Sequence, residues 1–459
     1  MTAALPVTAL LVVAAVAVWS LPRWLPAGVI RLRERVFRLV NGVEGIPVPG
    51  PLVGAEHFER VYTHPAADGR SRGAGLSDLF WYWLAPGPQM HQEHLEPGER
   101  YATVARTTRA VLAVGHRRAT KLATAAARRR LEELPTGRTS LVRLRDLVMP
   151  IWAEVFFELV FGTACPPDAR AMIVANADDV VSALKGTRLR HMDRRDRLTA
   201  YLRGRIEVGS CPVTLPAPFT ATETAWYLQG AFFNTAVVQM SEAMAHLLLA
   251  VAGHPGVQRD LVAAIDAPAG DADADAALDR VIDETLRVHP LFGVAHRITS
   301  APIVVDDAVT LPAGSVLLFN YLAFQRTGPA ADADFDPDRW RTLDRRAAHF
   351  IPFGVTANRA CPARGTAPVL LRAVTREVLR RFALSSSVRH TRSLPSRGPC
   401  YLTPPGARAP GRGRRWWMRS RDRWADVGRG VTQLVLGSWM VLDARRQRLC
   451  GSYFEGVLR

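Results

Sequence analysis

The sequence is almost without lysine: of its 59 basic residues only Lys121 and Lys185 are not arginine. Arginine and alanine richness of this kind follows from a GC-rich genome as readily as from function. Cysteine is scarce too. Cys165, Cys211, Cys361, Cys400 and Cys450 are odd in number and include no C-x-x-C pair, which argues against a disulfide framework or a structural zinc site and fits a reducing compartment. Charged residues make up only 22% against 48% hydrophobic, so general disorder is excluded and 459 residues can bury a sizeable core. No recognition-helix pattern, zinc-finger spacing or aromatic RNA-binding motif accompanies the basic charge, and nucleic acid is set aside as a partner. Repeats are absent. Asp271, Asp273 and Asp275 imitate the start of a calcium loop, but Ala276 stands where glycine is required and Ile282 where the closing glutamate belongs. That stretch, 266–275, reads as a solvated loop.

What the chain does have is a net charge of +17, unevenly placed. Residues 401–459 carry 12 arginines against 4 acids. At the other end, residues 1–22 hold no charge, and about 20 apolar residues span a bilayer. The segment reads as a membrane anchor, with Trp19 and Trp24 at the interface. Arg23, Arg31, Arg33, Arg35 and Arg38 follow it and put the catalytic body on the cytoplasmic side. A cleaved signal peptide would carry a basic start, which is missing. Residues 23–51 read as a basic linker ending in a proline-rich hinge, 45–51, and residues 52–405 as the catalytic domain. Residues 406–459 form an Arg/Trp-rich tail. Its apolar run 431–442 is too short to cross a membrane, leaving two readings: an interfacial helix on anionic lipid, or a poorly ordered tail that packs on the body or docks a partner.

Helical periodicity marks 102–133, 141–160, 223–252 and 364–382, the last with Leu370, Val374, Val378 and Phe382 on one face. Short β-like runs, Ile303–Val305 and Val316–Asn320, are joined through a Leu-Pro-Ala-Gly turn. The expectation is a mainly α protein with small β-sheets.

Three segments carry chemistry in a fixed order. Glu284 and Arg287, in VIDETLRVHP, share a helix face and can pair. FDPDRW adds Arg339. PFGVTANRACPARG then presents Cys361 just before a helix, whose N-terminal dipole is expected to lower the thiol pKa. Arg359, two residues earlier, can bind an anion by charge-assisted hydrogen bonds.

On these motifs residues 45–405 resemble the cytochrome P-450 family, whose fold sets a long central helix over a haem with a cysteine loop beneath. The resemblance implies haem b (iron protoporphyrin IX) with Cys361 as its iron ligand and a supporting triad of Glu284, Arg287 and Arg339. It implies propionate contacts from Arg359, Arg297 and His116, the last on the helix expected over 102–133. In LQGAFFNTAVVQ, Thr235 aligns with the family's oxygen-handling threonine, while Asn234 stands where an acid is usual and Phe232 where glycine is. Asn234 can exchange hydrogen bonds but cannot release a proton at neutral pH. The Phe353–Cys361 loop is one residue longer than usual, and Ala357 replaces a glycine.

The activity so implied is a membrane-anchored monooxygenase. It takes a small-molecule substrate, O2, and electrons from a separate NAD(P)H-linked ferredoxin or flavoprotein reductase. An acidic carrier would suit a basic face formed near Cys361 by the helix holding Arg372–Arg381. Two alternatives remain open: a haem-thiolate enzyme that uses or rearranges peroxides without an electron donor, and a membrane-tethered haem-binding scaffold.

Overall fold

The computed structural model describes residues 4–42, 44–72, 74–267, 271–291, 293–332, 334–355, 358–388 and 398–456; Ala357 and the side chain of Asp271 fall outside them. The chain starts with α1 (Ala4–Asn41), β1 (Ile46–Val48), α2 (Phe58–Thr63) and α3 (Gly75–Leu84). Next come α4 (Glu99–Leu112), α5 (His116–Glu132), β2 (Ser140–Arg143) and α6 (Leu144–Phe161). Helices α7 (Pro167–Leu184) and α8 (Met192–Glu207) precede α9 (Ala221–Leu228), which runs through a π-helical stretch at Gln229–Ala236 into α10 (Val237–Gly253). Then follow α11 (Pro255–Asp266), α12 (Asp271–Val288), β3 (Val294–Ile298), β4 (Ile303–Val304), β5 (Thr310–Leu311), β6 (Val316–Asn320) and α13 (Tyr321–Gln325). The remainder is α14 (Ala367–Arg381), β7 (Ala383–Ser385), β8 (Pro399–Thr403), α15 (Arg412–Gln447) and α16 (Leu449–Phe454).

The fold is mainly helical with small sheets ordered β1-β6-β3, β2-β8-β7 and β4-β5. Its centre is α6 packed on α10, both apolar almost all round and buried, as core helices are. Residues 221–253 are long and apolar enough to cross a membrane, yet most of that stretch is buried, which makes it the core rod. Its start is fixed by a capping box in which Thr220 and Glu223 satisfy each other's backbone N–H.

The core faces anticipated at Leu370, Val374, Val378 and Phe382 are buried, but several expectations need correction. The segment 102–133 is two helices, because the backbone turns extended at Gly115. The two β runs do not pair with each other: β4 pairs with β5, and β6 lies between β1 and β3. Residues 46–48 form no free hinge; they are an edge strand parallel to β6, a position that tolerates Pro47. The Asp-rich stretch is no free loop from 271 onward, since Asp271 opens α12 and Asp275 pairs with Arg372 and Arg376.

Residues 23–41 are not a linker. Helix α1 continues through Pro22 and Pro26, and its second half runs along α15, where Val29 is buried and sits against Gly430. Burial along α15 outweighs the backbone bonds those prolines remove. The C-terminal segment is likewise a docked helix: Met440, Val441 and Ala444 pack with Leu79, Tyr82 and Ala183. Asp78 accepts from the N–H groups of Cys450 and Gly451 at 3.0 and 3.1 Å.

Candidate active site

The Glu-x-x-Arg turn of α12 is the best-satisfied polar unit of the site. Glu284 is fully buried, and Arg287 donates to it twice, from Nε at 2.9 Å and from a terminal nitrogen at 2.7 Å. Arg339 adds a bond at 3.2 Å, the Asp336 N–H one at 2.8 Å and Trp340 Nε1 one at 3.0 Å. Arg287 also donates to the carbonyls of Ala330, Asp332 and Asp334, each at 2.7 Å. Five donors on one buried carboxylate clamp residues 330–340 to α12. The expected triad therefore comes together, with Trp340 as a partner that the spacing of charges alone did not reveal.

The cysteine loop is pinned at both edges. The Cys361 N–H bonds Phe353 O at 2.9 Å, and Asn358 Nδ2 donates to Tyr62 O at 2.8 Å. Cys361 lines a cavity of about 390 Å³ with Arg109, Arg359, Arg364, Glu93 and Tyr101. The expectation of a low thiol pKa fails. Helix α14 begins only at Ala367, too far along for its dipole to reach the sulfur, and burial pushes the thiol up to about 11. Against that, the Ala363 N–H bonds the sulfur and Arg364 lies nearby, both favouring the anion, while Glu93 opposes it.

Arg359 is deeply held. It pairs with Asp68 at 2.5 Å, donates to the carbonyls of Gln92 and Leu95, and lies 4.0 Å from the centre of the Tyr101 ring. Arg297 is buried on β3, bonding Tyr62 Oη at 3.0 Å, but its Nε has no partner. His116 is misplaced by the sequence reading. It is the exposed first residue of α5 and does not line the cavity; the helix that does is α4, through Tyr101, Ala105 and Arg109.

The central rod faces this loop differently from the expectation. Asn234 is buried, accepting from Asn176 Nδ2 at 2.7 Å and donating to Leu84 O at 3.4 Å, so its amide is a structural tie. Phe232 and Phe233 are core residues packed away from solvent. Thr235 Oγ1 lies 2.7 Å from His91 Nε2. His91 Nδ1 accepts the Glu93 N–H, and burial drops its pKa to about 4, so the ring is neutral with its proton on Nε2, which donates to Thr235. Sequence reasoning missed His91, His94 and His296. Burial lowers the pKa of all three, and both ring nitrogens of His94 lack partners. No local motif marks these residues, which come together only through the fold.

The arginines of α14 do not form a free cationic face. Arg372 pairs with Asp275 and Asp279, Arg376 with Asp275, and Arg380 and Arg381 with Glu377.

One thiol among three guanidinium groups is a donor set that suits the iron and propionates of a haem; Arg297 Nε and the His94 ring nitrogens, buried and unpartnered, do not line that cavity. The chain between the two faces is closely placed: His91 touches Thr235, while Gln92 O and Leu95 O take the hydrogens of Arg359. Residues 91–95 thus stand between the rod and the cysteine loop.

Comparison with known proteins finds cytochromes P-450 by sequence and by structure. The sequence model described as cytochrome P-450 matches residues 212–407. Cytochrome P-450 135B1 of Mycobacterium tuberculosis is 33% identical over 157 residues, covering 32% of this chain and 33% of that protein. Trimethyltridecatetraene synthase of Zea mays is 34% identical over 119 residues, covering 23% and 21%. The matched part therefore spans about a third or less of these curated relatives. Among solved structures, a six-coordinated cytochrome P-450 of Thermus thermophilus superposes with a TM-score of 0.54 at 16% identity, covering 79% of this chain and 99% of that one. A second, from another strain of the same species, gives 0.54 at 17% over 74% and 83%.

Proposed function

We propose that the chain, whose residues 212–407 match the sequence model of the cytochrome P-450 family, is a haem-thiolate monooxygenase. It oxidises a small organic substrate with O2 and electrons from a separate NAD(P)H-linked ferredoxin or flavoprotein. The observation that carries this reading is Cys361, which lines a cavity with Arg109, Arg359 and Arg364 while the Ala363 N–H bonds its sulfur. Cys361 is the residue to hold the iron of haem b, Arg359 and Arg109 its propionates, and Arg297 offers a buried unpaired Nε nearby. Metal binding takes the thiol proton away, as it does for any cysteine ligand, so a high pKa in the free chain is no obstacle. When bound, a thiolate-ligated haem supplies oxygen activation.

The chain's own residues set how protons arrive. His91 donates to Thr235 Oγ1 and leaves the Thr235 hydroxyl proton free to be given elsewhere. Asn234 is tied to Asn176, so no side-chain acid stands beside Thr235 in the rod and proton delivery falls to that hydroxyl and water. This same feature favours the second reading, a haem-thiolate enzyme that takes peroxide directly. The first half of α1, up to residue 22, is the membrane anchor in either case: Leu10, Leu11, Val12 and Val13 are all strongly exposed on it, and the arginines after residue 22 keep the body cytoplasmic.

The reduced, carbon monoxide-bound spectrum tests the core of the proposal. Wild type should give the thiolate-type Soret band and Cys361→Ser should lose it with the fold intact by circular dichroism. A protein that takes up no haem, or an unchanged band in the variant, overturns the assignment. Turnover that requires NAD(P)H, O2 and a carrier supports the first reading over the second; turnover with peroxide alone reverses the order.

A further inference from the structure

A second cavity, of about 640 Å³, lies between β2, the C-terminal end of α7 and the face of α15. Arg143, Arg145, Arg188, Arg421 and Arg429 line it, with Asp422 as the sole acid on its wall among the described residues. Arg145 forms the floor: it is almost wholly buried, and although it pairs with Glu242 at 3.1 Å and Asp178 at 3.4 Å, its Nε has no partner. Arg188 leans on Asp178 and Arg429 on Asp422 and Asp426. Arg143 and Arg421 are exposed at the mouth and make no ion pair among the described residues; Arg421 instead sits over the Trp417 ring at 5.1 Å. Convergent guanidinium groups with an unsatisfied buried N–H call for an oxyanion, and planar forks suit phosphate best.

The surroundings narrow the class. From the mouth of the cavity an apolar stripe runs down α15: Trp417, Trp424, Val431, Val435, Trp439 and Leu442 are all exposed, at spacings that keep them on one helix face. The opposite face, with Met418, Gly430, Gly437 and Met440, is buried against the protein. Alongside runs α1, whose residues 9–19 are exposed on every side and apolar enough to enter a bilayer. Tryptophan beside arginine is the composition of a helix resting in the headgroup layer. A protein partner would not account for cationic cavity, apolar stripe and protruding α1 on adjoining surfaces.

We propose that this cavity binds the phosphate ester of an anionic phospholipid, whose acyl chains lie along the α15 stripe. The site is independent of the haem reading and gives the chain a lipid contact besides α1.

Full-length protein in detergent, titrated with dioctanoyl phosphatidylglycerol and followed by native mass spectrometry, tests it. One lipid should be retained, with an occupancy about tenfold above that of dioctanoyl phosphatidylcholine. The exposed double substitution Arg143→Gln/Arg421→Gln should weaken phosphatidylglycerol binding about tenfold at unchanged thermal midpoint. Trp417→Ala should weaken the lipid more than glycerol phosphate. Equal binding of the two lipids, or wild-type affinity in the double variant, overturns the proposal. So does inorganic phosphate binding as tightly as the lipid, which would make the cavity a free-anion site.

Discussion

Two polar clusters lie within the same fold and are built on opposite terms. Around Glu284 every donor has found its acceptor: one buried carboxylate takes bonds from Arg287, Arg339, Trp340 and the Asp336 backbone. Around His91, His94 and His296 burial is just as complete, but His94 has no partner for either nitrogen and Arg297 leaves its Nε idle. A satisfied buried network fixes geometry, while an unsatisfied one carries a desolvation cost of about 1–3 kcal/mol per orphaned group. The first is scaffold. The second is the less satisfied of the two.

The largest effect should come from breaking the scaffold. Glu284→Gln leaves Arg287 buried with one carboxylate lost and its clamp on residues 330–340 weakened. Removing one partner of such a pair costs about 3–5 kcal/mol, read as a fall in the urea midpoint. A loss under about 1 kcal/mol would erase the contrast drawn above.

Acid should act on the second cluster. His91 and His296 titrate near 4 in the folded chain against 6.5 unfolded, because burial disfavours the cation. Between those values the unfolded chain binds more protons, so stability is complete above about pH 6.5 and is lost as pH falls towards 4, by about 3 kcal/mol for each ring. Glu242, held down at about 2 by Lys185 and Arg145 despite burial, loses its contribution only below about 4.5 and does not enter that window. Asp283 acts in the opposite sense: burial raises it to about 6, so it adds stability on acidification. Stability measured from pH 7 to 4.5 should therefore fall, and His91→Gln should flatten the slope. A flat wild-type curve would place the imidazoles in water.

How much of this the sequence disclosed follows from the range of each interaction. Glu284, Arg287 and Arg339 lie in local patterns and are legible in the sequence alone. Cys361 was legible as a candidate for the same reason, though its raised pKa was not, since burial is a property of the whole fold. His116 was misread because the break at Gly115 moves the cavity wall to α4. Asn234 and Thr235 were found, but their partners Asn176 and His91 lie 58 and 144 residues away, beyond any spacing rule. The course of α15 against α1 was equally hidden, because an Arg/Trp-rich composition does not state which face meets protein.

The smallest effect is also the most diagnostic of the contrast. His94 sits between Phe80 and His91, ring centres 6.1 and 5.4 Å away, with both nitrogens buried and unsatisfied. Its backbone carbonyl, which accepts from Ser71 at 2.7 Å, does not depend on the side chain. His94→Leu keeps the volume roughly constant and deletes two orphaned polar atoms. In a scaffold cluster such a change destabilises; here it should leave the ligand-free chain unchanged or more stable by about 1 kcal/mol. A loss of stability on His94→Leu would mean that the imidazole is already bonded, to water or to a ligand. The two clusters would then differ in their partners and not in their satisfaction.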